Sequence, residues 1–124
     1  MSAGDLVLVV DDEESLRTIA EVMLTRAGYR VVLAADGLAA LTAHERNAGE
    51  LRAVLLDWTL PLLDGEGVLQ ELRRRDASLP VILCTGTVVS GAQLVGVPGA
   101  APTSLPKPYR MAQLLAAVAA AVAR

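Results

Sequence analysis

The sequence predicts an α/β fold: a doubly wound five-stranded parallel sheet with helices on both faces. Three observations carry that prediction. Short apolar runs alternate with helical patterns along the chain. The runs at Leu6–Val10, Arg30–Ala34 and Pro80–Cys84 are almost unbroken Val, Ile and Leu, as strands covered on both faces require. The length, 124 residues, suffices for one such core and not for two, so residues 1–124 are expected to form a single domain.

The elements follow in chain order. Leu6–Val10 (LVLVV) is the first strand. Glu14–Ala27 is helical, with Leu16, Ile19, Ala20, Met23 and Ala27 on one face and Gly28 as its stop. Arg30–Ala34 is the second strand, and Leu38–Arg46 starts a helix behind Asp36-Gly37, where Asp36 is a capping residue. Arg52–Leu56 is the third strand and runs straight into Asp57. Glu66–Arg75 then gathers Val68, Leu69 and Leu72 on one side, capped by Asp64. Pro80–Cys84 is the fourth strand. The segment Val88–Val97 holds Gly91 and Gly96 and precedes Pro98-Gly99, so this fourth helix is expected to be short or irregular. Thr103–Leu105 is the last strand, and Tyr109–Ala123 the last helix, with Leu114, Leu115, Val118 and Val122 at helical spacing. Right-handed crossovers make 2-1-3-4-5 the economical strand order, the flavodoxin-like arrangement.

Composition narrows the function classes. A net charge of −3 gives no general attraction to nucleic acid or to an anionic membrane, so neither is expected as a direct partner. The lone Cys84 excludes an internal disulfide framework and suits a reducing cytoplasm. No apolar run is long enough to span a bilayer, and the amino terminus lacks the layout of a signal peptide. A cytoplasmic location is expected.

In open α/β sheets, ligands bind beyond the carboxyl ends of the strands, near the point where strand order reverses. Here the first strand ends in Asp11-Asp12, the third in Asp57, the fourth in Thr85-Gly86 and the fifth in Pro106-Lys107. The edge strand ends in Ala34-Ala35 and brings no such group. Three carboxylates on neighbouring strands repel one another, by roughly 4 kcal/mol per pair at about 4 Å and an effective dielectric near 20. A proton or a cation must offset this, and clustered hard oxygens favour Mg²⁺. A carboxylate nucleophile with Mg²⁺, a lysine and a threonine hydroxyl suits a phosphoryl group held as an aspartyl phosphate.

The segments LVLVVDDEESLR, LLDWTLPLLDG, VILCTG and LPKPY, in this order and at these strand ends, resemble the receiver domain of bacterial two-component response regulators over essentially the whole chain. The resemblance implies a phosphoacceptor signalling domain rather than an enzyme, assisting at most its own phosphorylation and dephosphorylation. Asp57 would take a phosphoryl group from a phosphohistidine of a sensor histidine kinase or a histidine phosphotransfer protein. Asp12, Asp57 and the backbone carbonyl of Thr59 would hold Mg²⁺ directly, and Asp11 through water. Thr85 and Lys107 would bind the phosphoryl oxygens, with backbone N–H groups of Trp58 and Gly86. The Lys107–Pro108 bond is expected to be cis.

One position departs from the family pattern. Receivers usually carry Tyr or Phe three residues before the lysine, where this chain has Ser104. That removes the usual aromatic switch and leaves the output mechanism open, and Tyr109 is no substitute by position. No DNA-binding output segment is expected after the last helix. This suits a single-domain regulator or the receiver of a hybrid histidine kinase, in a relay or phosphate-sink role. Two other readings compete. One is a phosphate-independent, receiver-like interaction domain. The other is a phosphatase of the haloacid dehalogenase type, which needs a second acid where Thr59 stands. Thr59 and Thr87 are also the positions expected to govern phosphoaspartate lifetime.

The remaining polar residues have plainer readings. Glu13 is expected at a helix start, favoured by the dipole. Arg73-Arg74-Arg75 reads as a solvated helix end and His44 as exposed and inert. Cys84 reads as a small buried apolar residue and Trp58 as part of the site's rim. The last helix carries Ala112, Ala116, Ala119, Ala120 and Ala123 outward, through high helix propensity or as a surface for a homodimer or intramolecular contact.

Overall fold

The structure, a computed structural model, describes residues 4–58, 64–85 and 103–123. The five strands are β1 (Leu6–Val10), β2 (Arg30–Ala34), β3 (Leu51–Asp57), β4 (Val81–Thr85) and β5 (Thr103–Pro106). They form one sheet in the order β2-β1-β3-β4-β5, every neighbouring pair parallel, as expected. The helices among the described residues are α1 (Glu14–Arg26), α2 (Gly37–Arg46), α3 (Gly65–Arg75) and α4 (Met111–Val122). The expected irregular helix at Val88–Val97 lies outside the described residues.

The unbroken apolar strands have a direct cause. Alternate residues of one strand enter different cores: Leu6, Leu8 and Val10 pack with Val68, Leu69 and Leu72 of α3. Val7 and Val9 pack instead with Leu24 of α1 and Leu114 and Val118 of α4. β3 and β4 alternate in the same way, with Val54, Leu56 and Leu83 on one side and Ala53, Leu55 and Ile82 on the other. At roughly 25 cal/mol per Å² of apolar area buried, these two cores supply the main driving force for the fold.

Local signals set most helix ends. Asp36 accepts from the Ala39 N–H at 2.7 Å and Asp64 from the Gly67 N–H at 2.8 Å, so both are the expected caps. Gly28 adopts φ 99°, the left-handed conformation that ends α1. The last helix starts at Met111 rather than Tyr109. The Arg110 N–H donates to the Gln113 side chain at 2.8 Å, which places the cap at Arg110.

Two side-chain expectations are corrected. His44 is buried at 6% exposure, facing α3 rather than solvent. Arg73 is not part of a solvated helix end: it is 2% exposed and its guanidinium donates to the Leu79 carbonyl. Arg74 and Arg75 do face outward, pairing with Glu71 at 3.1 and 3.7 Å.

Candidate functional site

The sheet brings the predicted acids together. Asp57 is the last residue of β3, in register with Cys84 of β4, and only 7% exposed. Asp11 follows β1 directly and is 5% exposed, whereas Asp12 beside it faces solvent. The three acids each offer a carboxylate oxygen, all within 4.8 Å of one another. This donor set fits a Mg²⁺ ion: three hard carboxylate oxygens, two of them on buried and positioned side chains and one on an exposed residue. Thr59, expected to add a carbonyl ligand, lies outside the described residues.

Lys107 sits between the two buried acids. Its Nζ is 3.2 Å from Asp11 Oδ2 and 3.2 Å from Asp57 Oδ2. Burial alone would lower its pKa, but the Asp57 and Asp11 carboxylates outweigh that and hold the ammonium above the ordinary lysine range. It is a fixed positive charge at neutral pH. Its backbone is fixed as well: the Lys107 N–H donates to the Thr85 carbonyl at 2.8 Å, and the Lys107–Pro108 bond is cis. Thr85, at the end of β4, is 5% exposed, so it and Lys107 approach Asp57 from the next two strands of the sheet.

The start of α3 approaches the end of β3 closely. The Gly65 N–H donates to the Trp58 carbonyl at 3.1 Å, where α3 begins. A Cβ on Gly65 would stand 2.5 Å from the Trp58 carbonyl oxygen and 2.8 Å from that of Asp57. Glycine is needed here for space.

Trp58 differs from its expected roles. Its N–H donates to the Cys84 carbonyl at 2.9 Å, extending the β3–β4 ladder, so this donor is already engaged rather than open to a phosphoryl oxygen. Its indole packs against the core on the α3 side and is not only a rim residue. Gly86, the other expected backbone donor, and Thr87 lie outside the described residues. Ser104 is exposed on β5, with no aromatic ring at that position.

Neighbouring groups are inert or structural. Burial pushes the Cys84 thiol up to about 12, with Lys107 opposing and Asp57 and Asp11 adding to the rise, so it stays a neutral core residue as expected. Burial likewise raises the half-buried Tyr109 phenol to about 12. Two contacts to Asp11 were not anticipated from sequence. The Glu13 N–H donates to Asp11 Oδ1 at 2.9 Å, and Arg17 Nη1 donates to the Asp11 carbonyl at 2.8 Å. Only the spacing, six residues after Asp11 and in the first turn of the helix behind the acid pair, could have found the second.

Comparison with known proteins places this geometry. The sequence pattern of the response regulator receiver domain matches residues 7–119. A probable transcriptional regulator ycf27 of Cyanophora paradoxa is 40% identical over 112 residues, 90% of this chain and 46% of that protein. The alkaline phosphatase synthesis transcriptional regulatory protein PhoP of Bacillus subtilis is 35% identical over 118 residues, 95% of this chain and 48% of that protein. The chain spans about half the length of these curated relatives. Among solved structures, a response regulator receiver domain protein of Clostridium thermocellum has a TM-score of 0.87 at 27% identity, covering 97% of this chain and 95% of that one. The receiver domain of a sensor histidine kinase of Pseudomonas aeruginosa has a TM-score of 0.84 at 31% identity, covering 98% of this chain and 100% of that one. That structure has a magnesium ion coordinated in its active-site cleft.

Proposed function

We propose that this chain, which belongs to the response regulator receiver domain family of two-component systems, is a phosphoacceptor in a phosphorelay, with Asp57 as the acceptor. The observation that carries the reading is the Asp57 carboxylate at the end of a buried strand, 3.2 Å from the Lys107 ammonium and clustered with Asp11 and Asp12.

In the proposed step, an Asp57 oxygen attacks the phosphorus of a phosphohistidine on a histidine kinase or phosphotransfer protein. The P–O bond forms as the P–N bond breaks, and the leaving imidazole takes up a proton. Lys107 holds its charge beside Asp57, within reach of the oxygens of the transferring phosphoryl group, and Thr85 offers a hydroxyl to the same group. Asp12, Asp57 and the Thr59 carbonyl would hold Mg²⁺ directly, and Asp11 through water. When bound, the ion neutralises charge on the carboxylates and on the phosphoryl oxygens. Gly86 is the backbone donor of this reading, and Trp58 instead anchors the strand end.

Residues 1–124 are read as one receiver domain, in a single-domain regulator or a hybrid histidine kinase. A cytoplasmic location goes with that role. No helix among the described residues is long and apolar enough to cross a membrane. The exposed Ser104 favours a relay or phosphate-sink role, since no ring stands at that position to report phosphorylation. The same serine is what a phosphate-independent interaction domain would show, and partner binding insensitive to Asp57→Asn would favour that second reading.

The test is intact mass after incubation with a small-molecule phosphodonor, with and without Mg²⁺. One phosphoryl adduct that requires Mg²⁺ and vanishes in Asp57→Asn is expected. Lack of an adduct both with that donor and with a phosphorylated histidine phosphotransfer protein would sink the reading.

A further inference from the structure

Asp11 is held at four points. Its N–H donates to the Ala34 carbonyl at 3.1 Å, continuing the β1–β2 ladder one step. Its Oδ1 accepts from the Glu13 N–H at 2.9 Å and its Oδ2 from Lys107 Nζ at 3.2 Å. Its carbonyl accepts from Arg17 Nη1 at 2.8 Å. The first three partners are main chain or the site's own lysine. The fourth is a side chain that reaches back from α1. β2 ends at Ala34, and a guanidinium N–H supplies the donor for the Asp11 carbonyl just where the strand ladder stops.

We propose that Arg17 is a positioning residue for the divalent-cation site. By tying the Asp11 carbonyl to α1, it fixes the turn out of β1, and with it the direction in which the Asp11 and Asp12 carboxylates meet Asp57. This rests on reading the acidic cluster as a Mg²⁺ site. A charge-assisted hydrogen bond of this kind is stronger than a neutral one, and it grips the residue at the backbone, which sets the aim of both acids at once.

The contact goes to the carbonyl and not to a carboxylate oxygen, so geometry and charge predict opposite effects. A cation near the site repels Mg²⁺. If Arg17 acted only through its charge, neutralising it would tighten metal binding. If it positions the acids, neutralising it weakens binding despite the lost repulsion.

The experiment is Mg²⁺ titration of the full chain by calorimetry and by fluorescence of Trp58, the sole tryptophan, beside Asp57. Wild type is compared with Arg17→Gln, Arg17→Lys and Arg26→Gln, the last removing the same charge from the far end of α1. Arg17→Gln is expected to bind Mg²⁺ about tenfold more weakly, as loss of a partner supporting a metal ligand does. Arg17→Lys should recover part of the loss, and Arg26→Gln should match wild type. Arg17 is half-buried and outside both cores, so Arg17→Gln keeps the fold, which metal-free melting verifies. In metal-free protein the Glu13 amide should also exchange faster in Arg17→Gln. Equal or tighter Mg²⁺ binding by Arg17→Gln overturns the role of Arg17 and leaves the metal site standing. A wild type that takes up no Mg²⁺ by calorimetry overturns both.

Discussion

Lys107 lies between two carboxylates that would otherwise face each other across the sheet, and it answers the repulsion of only those two. A second buried polar residue, His44, has no such answer. Its Nδ1 has no hydrogen-bond partner among the described residues. Burial lowers its pKa below 6.5, the Arg75 guanidinium lowers it further, and Asp76 opposes. The unfolded chain therefore takes up this proton before the folded one does, so stability falls as pH drops through 6.5. Urea midpoints at about pH 7.5 and about pH 5.5 test this: His44→Leu should lose clearly less stability than wild type over that interval. An equal loss in both would assign the acid sensitivity to other groups. Sequence legibility at this scale divides cleanly. Asp36 and Asp64 were readable as caps because each acts on an N–H three residues away. The burial of His44 and Arg73 was not, because it is set by α3 against α2 and by the turn at Leu79, which no local spacing encodes.

At the scale of elements, the end of β3 and the start of α3 meet at Gly65, where a Cβ would strike backbone on both sides of the nucleophile's peptide. Backbone cannot swing aside as a side chain can, so Gly65→Ala must move α3 or the strand end. Overpacking of this kind costs typically about 1–3 kcal/mol. The prediction is that Gly65→Ala loses stability on that order and also accepts phosphate more slowly, with Asp57 displaced. A thermal melt and the rate of adduct formation check it; a destabilised variant with an unchanged rate would show that the shift is taken up by α3 alone. β1, β3 and β4 were legible almost to the residue because burial on both faces leaves unbroken apolar runs. The edge strands β2 and β5, expected to be buried on both faces, instead leave most of their residues partly or fully exposed. The bounds of β3, β4 and β5 differ by one residue at one or both ends, and one of these shifts is instructive. β3 extends to Asp57 itself, since the Trp58 N–H continues the ladder to Cys84, and a hydrogen bond between strands has no trace in a single strand's pattern.

For the molecule as a whole, the site opposes the stability that the sheet supplies. Three carboxylates converge at the ends of β1 and β3, and the ion pairs of Lys107 reach Asp11 and Asp57. Asp12 is the excess charge, exposed and beyond that pairing among the described residues. Without metal it repels the other two; in the proposed Mg²⁺ site it would serve as a ligand. Asp12→Asn should therefore melt a few degrees higher than wild type in the absence of divalent ions, a gain reduced by salt. Millimolar Mg²⁺ should raise the wild-type melting temperature by linkage and leave Asp12→Asn nearly unmoved. The sheet order made the convergence of these acids foreseeable, because it places the carboxyl ends of β1 and β3 side by side. Which acid remains uncompensated was not foreseeable, because it depends on where one flexible lysine comes to rest. A wild type that melts above Asp12→Asn in EDTA would mean that Asp12 holds the turn into α1 more than it strains it. The acidic cluster would then be part of what stabilises the fold, and not a cost the fold bears for its chemistry.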